Sequence, residues 1–263
     1  MAAAQEVAQA IARQAGEFLQ ENRFATKQIS VKTDMVDLVT NVDKAADRLI
    51  TEQLRIHFPT HTIIAEESAQ SGPQSPYCWY IDPLDGTTNF AHTYPHFAVS
   101  LALTHESTAI VGVVHDPVRN ETFSARRGGG AQLNGNPIRV STASQLDQSL
   151  LLTGFPYDRR SYSAFYLRYY EAFMLRTHGV RRSGSAALDL CYVACGRADA
   201  FWEWRLHPWD IAAGSLIVEE AGGRTSDFSG HTFDLHGEQT LASNGHLHGA
   251  MLDVLGQLPG SPS

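Results

Sequence analysis

The sequence predicts a layered α/β fold in two closely packed lobes. Amphipathic helical stretches alternate with short apolar strands along the chain. No linker rich in Pro, Gly or Ser and no low-complexity block divides the 263 residues. The order of elements changes near Leu150, where successive strands give way to strands that alternate with helices. We therefore place an N-terminal lobe at about 1–150 and a C-terminal lobe at about 151–263.

In the N-terminal lobe, two helices precede a series of strands. Apolar residues including Val7, Ile11 and Phe18 recur at helical spacing and predict the first helix. The second helix is predicted from about 42 to 57. The strands are predicted at 62–65, 78–81, 98–104, 109–115 and 121–125.

In the C-terminal lobe, a strand at 150–153 precedes a helix predicted at about 161–175. That helix carries an aromatic stripe, which includes Phe165, Tyr169 and Phe173. We interpret the stripe as core or subunit packing rather than as part of a cofactor site.

Composition excludes several classes of function. The net charge of −8 disfavours a surface that tracks nucleic-acid phosphates, so we expect no nucleic-acid partner. Apolar runs are strand-sized, which disfavours a membrane protein, and the N-terminus lacks the basic start and long apolar stretch of a signal peptide. Cys78, Cys191 and Cys195 form no CxxC motif and are expected to be reduced. These features predict a cytoplasmic protein.

The sharpest local signal is the stretch WYIDPLDGTTNF at 79–90. An apolar strand ends in Asp82, and Pro83 is expected to stop its hydrogen-bond ladder. Asp85 then places a second carboxylate three residues later. The pentapeptide DPLDG taken alone is equally typical of a surface turn. Its position after a strand with Trp, Tyr and Ile favours a functional site.

The residues that follow Asp85 are suited to anion binding. Gly86 permits a tight turn, and Thr87 and Thr88 are residue types favoured at helix N-caps. Backbone N–H groups at such a turn can bind a phosphate. Two carboxylates beside an anion require a cation between them, and an all-oxygen ligand set favours Mg²⁺ or Mn²⁺ over Zn²⁺.

Two further segments carry acidic residues in similar positions. Glu66 and Glu67 follow an apolar strand, and parallel pairing of that strand with the next would place Glu66 beside Asp82. A solvated loop is the alternative for one of the two glutamates. Asp210 follows Trp209 in the first turn of a predicted helix, where it could serve the site or only complement the helix dipole.

These residues resemble the inositol monophosphatase family, which consists of lithium-sensitive, magnesium-dependent phosphatases. The stretch at 79–90 fits one family signature, and WDIAAGSLIVEEAGG at 209–223 fits the second. Segments 184–190 and 196–200 also match, and the similarity reaches about Leu258. The resemblance implies one domain over 1–263, an αβαβα sandwich of mixed sheets and helix pairs, a homodimer, and hydrolysis of inositol monophosphate or a related small phosphate monoester.

The resemblance also implies a metal site. Two or three Mg²⁺ ions per site are expected, with Mn²⁺ a possible substitute. Glu66, Asp82 and the Leu84 carbonyl resemble the ligands of the first ion. Asp82, Asp85 and Asp210 resemble those of the second. Residues 32–35 resemble a flap near a third, weaker position.

Catalytic and substrate roles follow from the same resemblance. Thr87, backed by Asp43, resembles the pair that orients or deprotonates the attacking water together with Glu66. Asp43 also completes a capping box with Thr40, and the two roles are compatible. The residues expected to contact substrate are Leu84, Asp85, Gly86, Thr87, Gly184, Ser185, Ala186, Glu203 and Asp210.

The substrate is left open by this sequence. Trp204 and Arg205 lie where the family varies, and Arg205 could bind a second anionic group or belong to an exposed surface pair. The alternatives are a fructose-1,6-bisphosphatase, an NADP(H) phosphatase and a sulfur-pathway nucleotide phosphatase, of which the last is disfavoured by Thr88. An RNA-associated regulatory role as a binding module is a further alternative.

Overall fold

The structure, a computed structural model, describes residues 1–25, 29–31, 38–68 and 70–260. The predicted flap at 32–35 lies outside these ranges. Within them, the chain forms seven α-helices. These helices are α1 (Ala2–Asn22), α2 (Asn41–His57), α3 (Thr87–Ala91), α4 (Ser163–Met174), α5 (Ala186–Ala194), α6 (Pro208–Glu220) and α7 (His248–Leu255). Of the described residues, none belongs to a helix long and apolar enough to cross a membrane.

Two short strands, β1 (Ile29–Val31) and β2 (Leu38–Thr40), pair antiparallel before α2. The larger of the two main sheets has seven strands, which follow one another in sequence order. They are β3 (Thr62–Ala65), β4 (Tyr77–Asp85), β5 (Ala98–His105), β6 (Thr108–Asp116), β7 (Glu121–Arg126), β8 (Ala131–Leu133) and β9 (Asn136–Pro137). Only the β3–β4 pair is parallel.

The smaller main sheet has five strands in the order β11-β10-β12-β14-β13. They are β10 (Leu150–Thr153), β11 (Gly179–Arg181), β12 (Ala200–Trp204), β13 (Arg224–Ser226) and β14 (Gln239–Ser243). Strand β10 pairs parallel with both of its neighbours, and the remaining pairs are antiparallel. Both main sheets are therefore mixed, as predicted.

Three apolar clusters stack these elements into five layers. One cluster packs α1 and α2 on the outer face of the seven-stranded sheet. A second packs α5 and α6 between the two sheets, and a third packs α4 and α7 on the outer face of the five-stranded sheet. The predicted αβαβα arrangement is confirmed. The aromatic stripe on α4 belongs to the third cluster, where Phe165 and Tyr169 contact Trp204.

Close packing of the central helix pair depends on a glycine in the sheet. A Cβ atom at Gly112 of β6 would lie 2.7 Å from the Ala213 carbonyl oxygen of α6. That distance is too short for any side chain, so the glycine lets α6 approach the sheet. The N-terminus of α6 is thereby held at the edge where β4 ends.

One predicted boundary is wrong in an informative way. Strand β4 continues past Pro83 to Asp85, instead of ending at Asp82. Its pairing with β5 shifts between Asp82 and Asp85, so the proline lies in a bulge. A bulge re-aims the side chains around it, and both aspartates sit at its ends.

Candidate active site

A cleft opens where both main sheets present the ends of their strands. It brings together residues that the sequence places far apart. The predicted site residues lining it are Glu66, Asp82, Leu84, Asp85, Gly86, Thr87, Gly184, Ser185, Ala186, Glu203 and Asp210. The remaining predicted residue, Asp43, lies behind Thr87 and reaches the cleft through a hydrogen bond to it.

Parallel pairing of β3 with β4 places Glu66 beside Asp82. Ala65 is the register partner of Ile81, so the residue that follows each is acidic. The Glu66 N–H donates to the Ile81 carbonyl oxygen at 3.1 Å, which continues the ladder past the end of β3. The juxtaposition predicted from the two apolar strands is therefore present.

The two aspartates at the ends of the β4 bulge each have one carboxylate oxygen held by hydrogen bonds. Asp82 Oδ1 accepts from the Leu84 N–H at 2.9 Å. Asp85 Oδ2 accepts from Ser185 Oγ at 2.6 Å and from the Ala187 N–H at 2.8 Å. Asp85 thereby ties the seven-stranded sheet to the N-terminus of α5. The second oxygen of Asp82 accepts no hydrogen bond from the described residues.

Asp210 lies in the first turn of α6 and is half-buried. Its Oδ2 accepts from the His207 N–H at 2.7 Å, which caps the helix. The same side chain lines the cleft near Asp82 and Asp85. The helix-end role and the place in the cleft therefore coexist.

Burial and mutual repulsion raise the pKa values of these carboxylates. Burial, and then the nearby Glu66, Asp85 and Asp210, hold the pKa of Asp82 well above its usual range. Burial raises the pKa of Asp85 to about 6, although the hydrogen bonds from Ser185 and Ala187 oppose the shift. Asp210 is raised well above its usual pKa by burial and by Glu66 and Asp85.

No Lys or Arg among the described residues forms an ion pair with Asp82, Asp85 or Asp210. Three carboxylates in one cleft without a cationic partner are unstable in their ionised form. A bound cation would remove this instability, because it compensates all of the charges at once.

The donor set fits a hard divalent cation. The candidate ligands are carboxylate oxygens and the Leu84 carbonyl oxygen, which accepts from Thr87 Oγ1 at 3.1 Å. Among the described residues, no three His, Cys, Asp or Glu side chains form a closed metal cluster as they stand.

Thr87 and Asp43 form a polar pair at the edge of the cleft. Thr87 Oγ1 lies 3.0 Å from Asp43 Oδ1, and Asp43 Oδ2 accepts from the Thr40 N–H at 3.1 Å. Asp43 therefore completes the predicted capping box of α2 while it contacts Thr87. Burial raises the pKa of Asp43, and the hydrogen bonds from Thr40 and Thr87 oppose that shift.

The cap predicted for the short helix α3 is wrong. Gly86, with φ of 95°, precedes the helix as its N-cap, and Thr87 is already its first residue. A left-handed conformation strongly favours glycine, which is why the turn falls there. This turn directs the Thr87 hydroxyl back to Leu84 and Asp43.

The segment before α5 forms the facing wall of the cleft. Ser185 is the N-cap of α5, and its Oγ accepts from the Leu188 N–H at 3.3 Å. The Asn89 amide of α3 donates to the Ser183 carbonyl oxygen at 2.9 Å and to the His96 carbonyl oxygen at 2.8 Å. Asn89 thus fixes the turn at Gly184 against the β4 bulge.

Glu203 projects into the cleft from β12 and is only 8% exposed. Burial raises its pKa to about 8, and the Arg182 and Arg159 guanidinium groups oppose this shift. No donor among the described residues hydrogen-bonds its carboxyl group. Its oxygens are therefore available to a ligand.

Arg205 and Trp204 both line the cleft, and each also has contacts that hold it in place. The Arg205 guanidinium forms an ion pair with Asp158, and its Nε lies 3.9 Å from Glu238. Trp204 is buried in the aromatic cluster around α4. The sequence alone did not predict the pairing of Arg205 with Asp158, because the two residues lie 47 positions apart in the chain.

Sequence reasoning missed Asn89, Arg182 and Asp189 as residues of the site. Asp189 is buried in the first turn of α5, lines the cleft and accepts from Ser183 Oγ. A carboxylate inside an apolar helix was an available signal, because such a group needs a partner. Arg182 offered no signal, because an exposed arginine is ordinary.

The fold and the acidic cleft together define a metal-dependent class of layered α/β enzyme, in which hard oxygen ligands converge on one site. Comparison with known proteins narrows this class. The chain matches the inositol monophosphatase family over residues 1–258. It belongs to that family, whose members are phosphoric monoester hydrolases, generally metal-dependent and characteristically lithium-sensitive.

Individual relatives support the assignment over nearly the whole chain. An inositol-1-monophosphatase from Synechocystis sp. is 48% identical over 240 residues, covering 89% of this chain and 82% of that protein. A protein named Nus factor SuhB from Escherichia coli is 48% identical over 244 residues, covering 92% and 91%. The solved inositol monophosphatase from Anabaena (Nostoc) sp. superposes with a TM-score of 0.85 at 42% identity, covering 97% and 96%.

Proposed function

We propose that this protein is a Mg²⁺-dependent phosphomonoesterase that hydrolyses inositol monophosphate or a related small phosphate monoester to an alcohol and phosphate. The observation that carries the proposal is the convergence of Glu66, Asp82, Asp85 and Asp210 in one cleft. No cationic side chain in the described ranges pairs with the three aspartates. Cations bound at these carboxylates would compensate their charge and so favour the entry of an anionic substrate.

The carboxylates would hold the ions, which supply charge neutralisation at the phosphoryl group and activation of a water molecule. Glu66, Asp82 and the Leu84 carbonyl oxygen are proposed for one ion, and Asp82, Asp85 and Asp210 for the second. Mn²⁺ is the expected substitute, because it accepts the same oxygen donors. A third ion is proposed near the segment at 32–35, which lies outside the described residues.

Thr87 and Asp43 are proposed to orient the attacking water together with Glu66. The Thr87 hydroxyl can accept a hydrogen bond from water while it donates to Asp43 Oδ1, at 3.0 Å. A proton leaving the water can then pass through Thr87 to Asp43, whose raised pKa suits it to receive one. Glu66 would accept the same proton by the more direct route.

The remaining cleft residues are proposed to bind the two ends of the substrate. The backbone N–H groups of Gly86 and Thr87 would donate to the phosphate oxygens. The alcohol end of the substrate would be contacted by Gly184, Ser185, Ala186 and Glu203. The buried carboxyl group of Glu203 suits this role, because it has no hydrogen-bond donor of its own among the described residues.

A phosphate-release screen tests this proposal. Purified protein would be assayed on inositol phosphates, sugar phosphates and nucleotide phosphates, with added Mg²⁺, with Mn²⁺ and with chelator alone. We expect release from inositol monophosphate with Mg²⁺ and none with chelator. Faster release from fructose 1,6-bisphosphate or NADP(H) would favour those alternatives, and full activity in chelator would refute the metal-dependent mechanism.

A second candidate function is favoured by the name of close relatives. The Escherichia coli protein, 48% identical over 92% of this chain, is named Nus factor SuhB. We propose a regulatory, RNA-associated role as the alternative to, or companion of, phosphatase activity. Retention on RNA that weakens steeply with salt, and persists in an inactive Asp82→Asn variant, would support it. Absence of retention at low salt would remove it.

The proposal includes a cytoplasmic homodimer. The exposed side of α4 carries Leu167 and Met174, which are 54% and 49% exposed, and Leu175 follows at 71%. Apolar side chains grouped in this way are typical of subunit surfaces. Light scattering at several protein concentrations would test the dimer, and a monomer mass throughout would contradict it.

A further inference from the structure

No donor among the described residues hydrogen-bonds the carboxyl group of Glu203, although the Arg182 and Arg159 guanidinium groups interact with it electrostatically. The carboxyl group lies against the backbone of Gly154, the residue that follows β10. A Cβ atom at Gly154 would lie 2.1 Å from Glu203 Oε2 and 2.2 Å from Oε1 and Cδ. A Cβ atom at position 154 would therefore occupy the space that the Glu203 carboxyl group fills.

The backbone on both sides of this contact is held in place. Strands β10 and β12 pair parallel, and Thr153 Oγ1 donates to the Trp202 carbonyl oxygen at 2.8 Å. On its other side β12 pairs with β14, where Glu203 is the partner of Thr240. Trp202 and Trp204, which flank Glu203, are buried in the aromatic cluster. A side chain at 154 would thus displace the Glu203 carboxyl group, the far end of a flexible side chain, and leave the strands unmoved.

We propose that Gly154 is a positioning residue for substrate specificity, which holds the Glu203 carboxyl group in the cleft by leaving room for it at the end of β10. This inference rests on the proposed function only in assigning Glu203 to the alcohol end of the substrate. Gly154 contacts no reacting atom. It acts through Glu203, and it therefore affects substrates according to their hydroxyl groups.

The test compares Gly154→Ala with the parent on two substrates. Inositol 1-phosphate has hydroxyl groups for Glu203 to bind, and 4-nitrophenyl phosphate has none. Gly154→Ala should lower kcat/KM for inositol 1-phosphate about 10-fold, and should leave that for 4-nitrophenyl phosphate within about 2-fold. The matched control is Gly249→Ala on α7, where an added Cβ meets no atom within 4 Å. That control should change neither value.

A double-mutant cycle shows whether Gly154 acts through Glu203. In a Glu203→Ala background, which lacks the carboxyl group, Gly154→Ala should produce no further change in the ratio of the two kcat/KM values. An equal loss on both substrates, or a further loss of selectivity in the Glu203→Ala background, would overturn the inference. Unchanged selectivity in Gly154→Ala alone would overturn it as well.

Thermal unfolding provides a readout that needs no activity. Gly154→Ala should lower the Tm of the parent, because the methyl group meets the carboxyl group. In a Glu203→Ala background the same change should raise Tm, since alanine restricts the unfolded chain more than glycine does. If Gly154→Ala lowered Tm by a similar amount in both backgrounds, the proposed contact between residue 154 and the Glu203 carboxyl group would be contradicted. If neither substrate is hydrolysed, the proposed function fails, while this cycle still decides whether Gly154 and Glu203 are coupled.

Discussion

The two sides of the cleft are built differently. On the carboxylate side, Asp82, Asp85 and Asp210 each have one oxygen held by a backbone N–H. On the opposite side, Glu203 has no hydrogen-bond donor among the described residues, and Gly154 limits its position. Firm backbone anchoring suits residues that must meet a metal ion in a defined geometry. Positioning by packing suits residues that choose among substrates.

The largest effects should follow changes on the carboxylate side. Asp82→Asn and Asp210→Asn should each lower turnover by at least about 100-fold on every substrate, because a misplaced ion no longer stabilises the leaving group. The double variant should be little worse than either single variant, since residues that act as a unit are not additive. Steady-state kinetics at saturating Mg²⁺ would measure this. Normal turnover in Asp210→Asn would leave Asp210 with its helix-end role alone.

Glu203→Gln should give a smaller and more selective loss on the opposite side. We expect about 1–3 kcal/mol of lost transition-state stabilisation for inositol 1-phosphate, because a hydrogen-bonding partner of the substrate is altered. The loss for 4-nitrophenyl phosphate should be negligible. The two kcat/KM values are the measurement, and equal losses on both substrates would show that Glu203 belongs to the chemical step.

The stability of the metal-free protein should depend on pH through the protonation of Asp85. Burial raises the pKa of Asp85 to about 6 in the folded protein, from its usual value of 3.8. A folded-state pKa above the unfolded value means that the folded protein holds a proton longer, so this contribution to stability is lost as pH rises from about 4 to about 6. Asp85→Asn removes the loss, so its Tm relative to the parent should increase across that window in chelator.

The comparison with Asp85→Asn is needed because buried histidines act in the opposite direction. Burial lowers the pKa values of His96, His115 and His248 to about 4, so their contribution to stability grows as pH rises. These contributions cancel between variant and parent. Added Mg²⁺ should stabilise the parent more than Asp85→Asn. A constant difference in Tm over the whole window would contradict the assigned pKa.

The smallest effect is expected at Arg205. Its guanidinium pairs with Asp158 and lies 3.9 Å from Glu238, so it has little charge to offer a second anionic group. Arg205→Gln should change the ratio of kcat/KM for fructose 1,6-bisphosphate to that for inositol 1-phosphate by no more than about 2-fold. It should also cost little stability, because exposed ion pairs contribute only about 0–1 kcal/mol. Arg168→Gln on α4 is the matched control. A large fall in bisphosphate hydrolysis would restore Arg205 to substrate binding.

The carboxylate side was largely predictable because its determinants are local. Strands β3 and β4 are parallel neighbours, and an acidic residue follows the apolar run in each of them. This pattern is sufficient to bring Glu66 and Asp82 together. The layered fold followed for a similar reason, since helical and strand periodicities are visible in single segments. The capping box of Thr40 and Asp43 is also local, and both of its hydrogen bonds are present.

The opposite side was less predictable because its contacts join distant segments. Arg205 pairs with Asp158 across 47 residues, and Asn89 reaches Ser183 across 94. The contact of Gly154 with Glu203 arises only when β10 and β12 pair. The bulge at Pro83 escaped prediction for another reason. Proline usually ends a ladder, and here the neighbouring strand shifts register to accommodate it.

The central claim is that the carboxylates of separate segments bind the metal while Glu203 does not. Calorimetric titration of Mg²⁺ into the parent, Asp210→Asn and Glu203→Gln tests this most directly. The account predicts that Glu203→Gln binds Mg²⁺ with the affinity of the parent, and that Asp210→Asn binds it at least about 10-fold more weakly. Parent-like affinity in Asp210→Asn, or weakened affinity in Glu203→Gln, would contradict the division of the cleft into two sides.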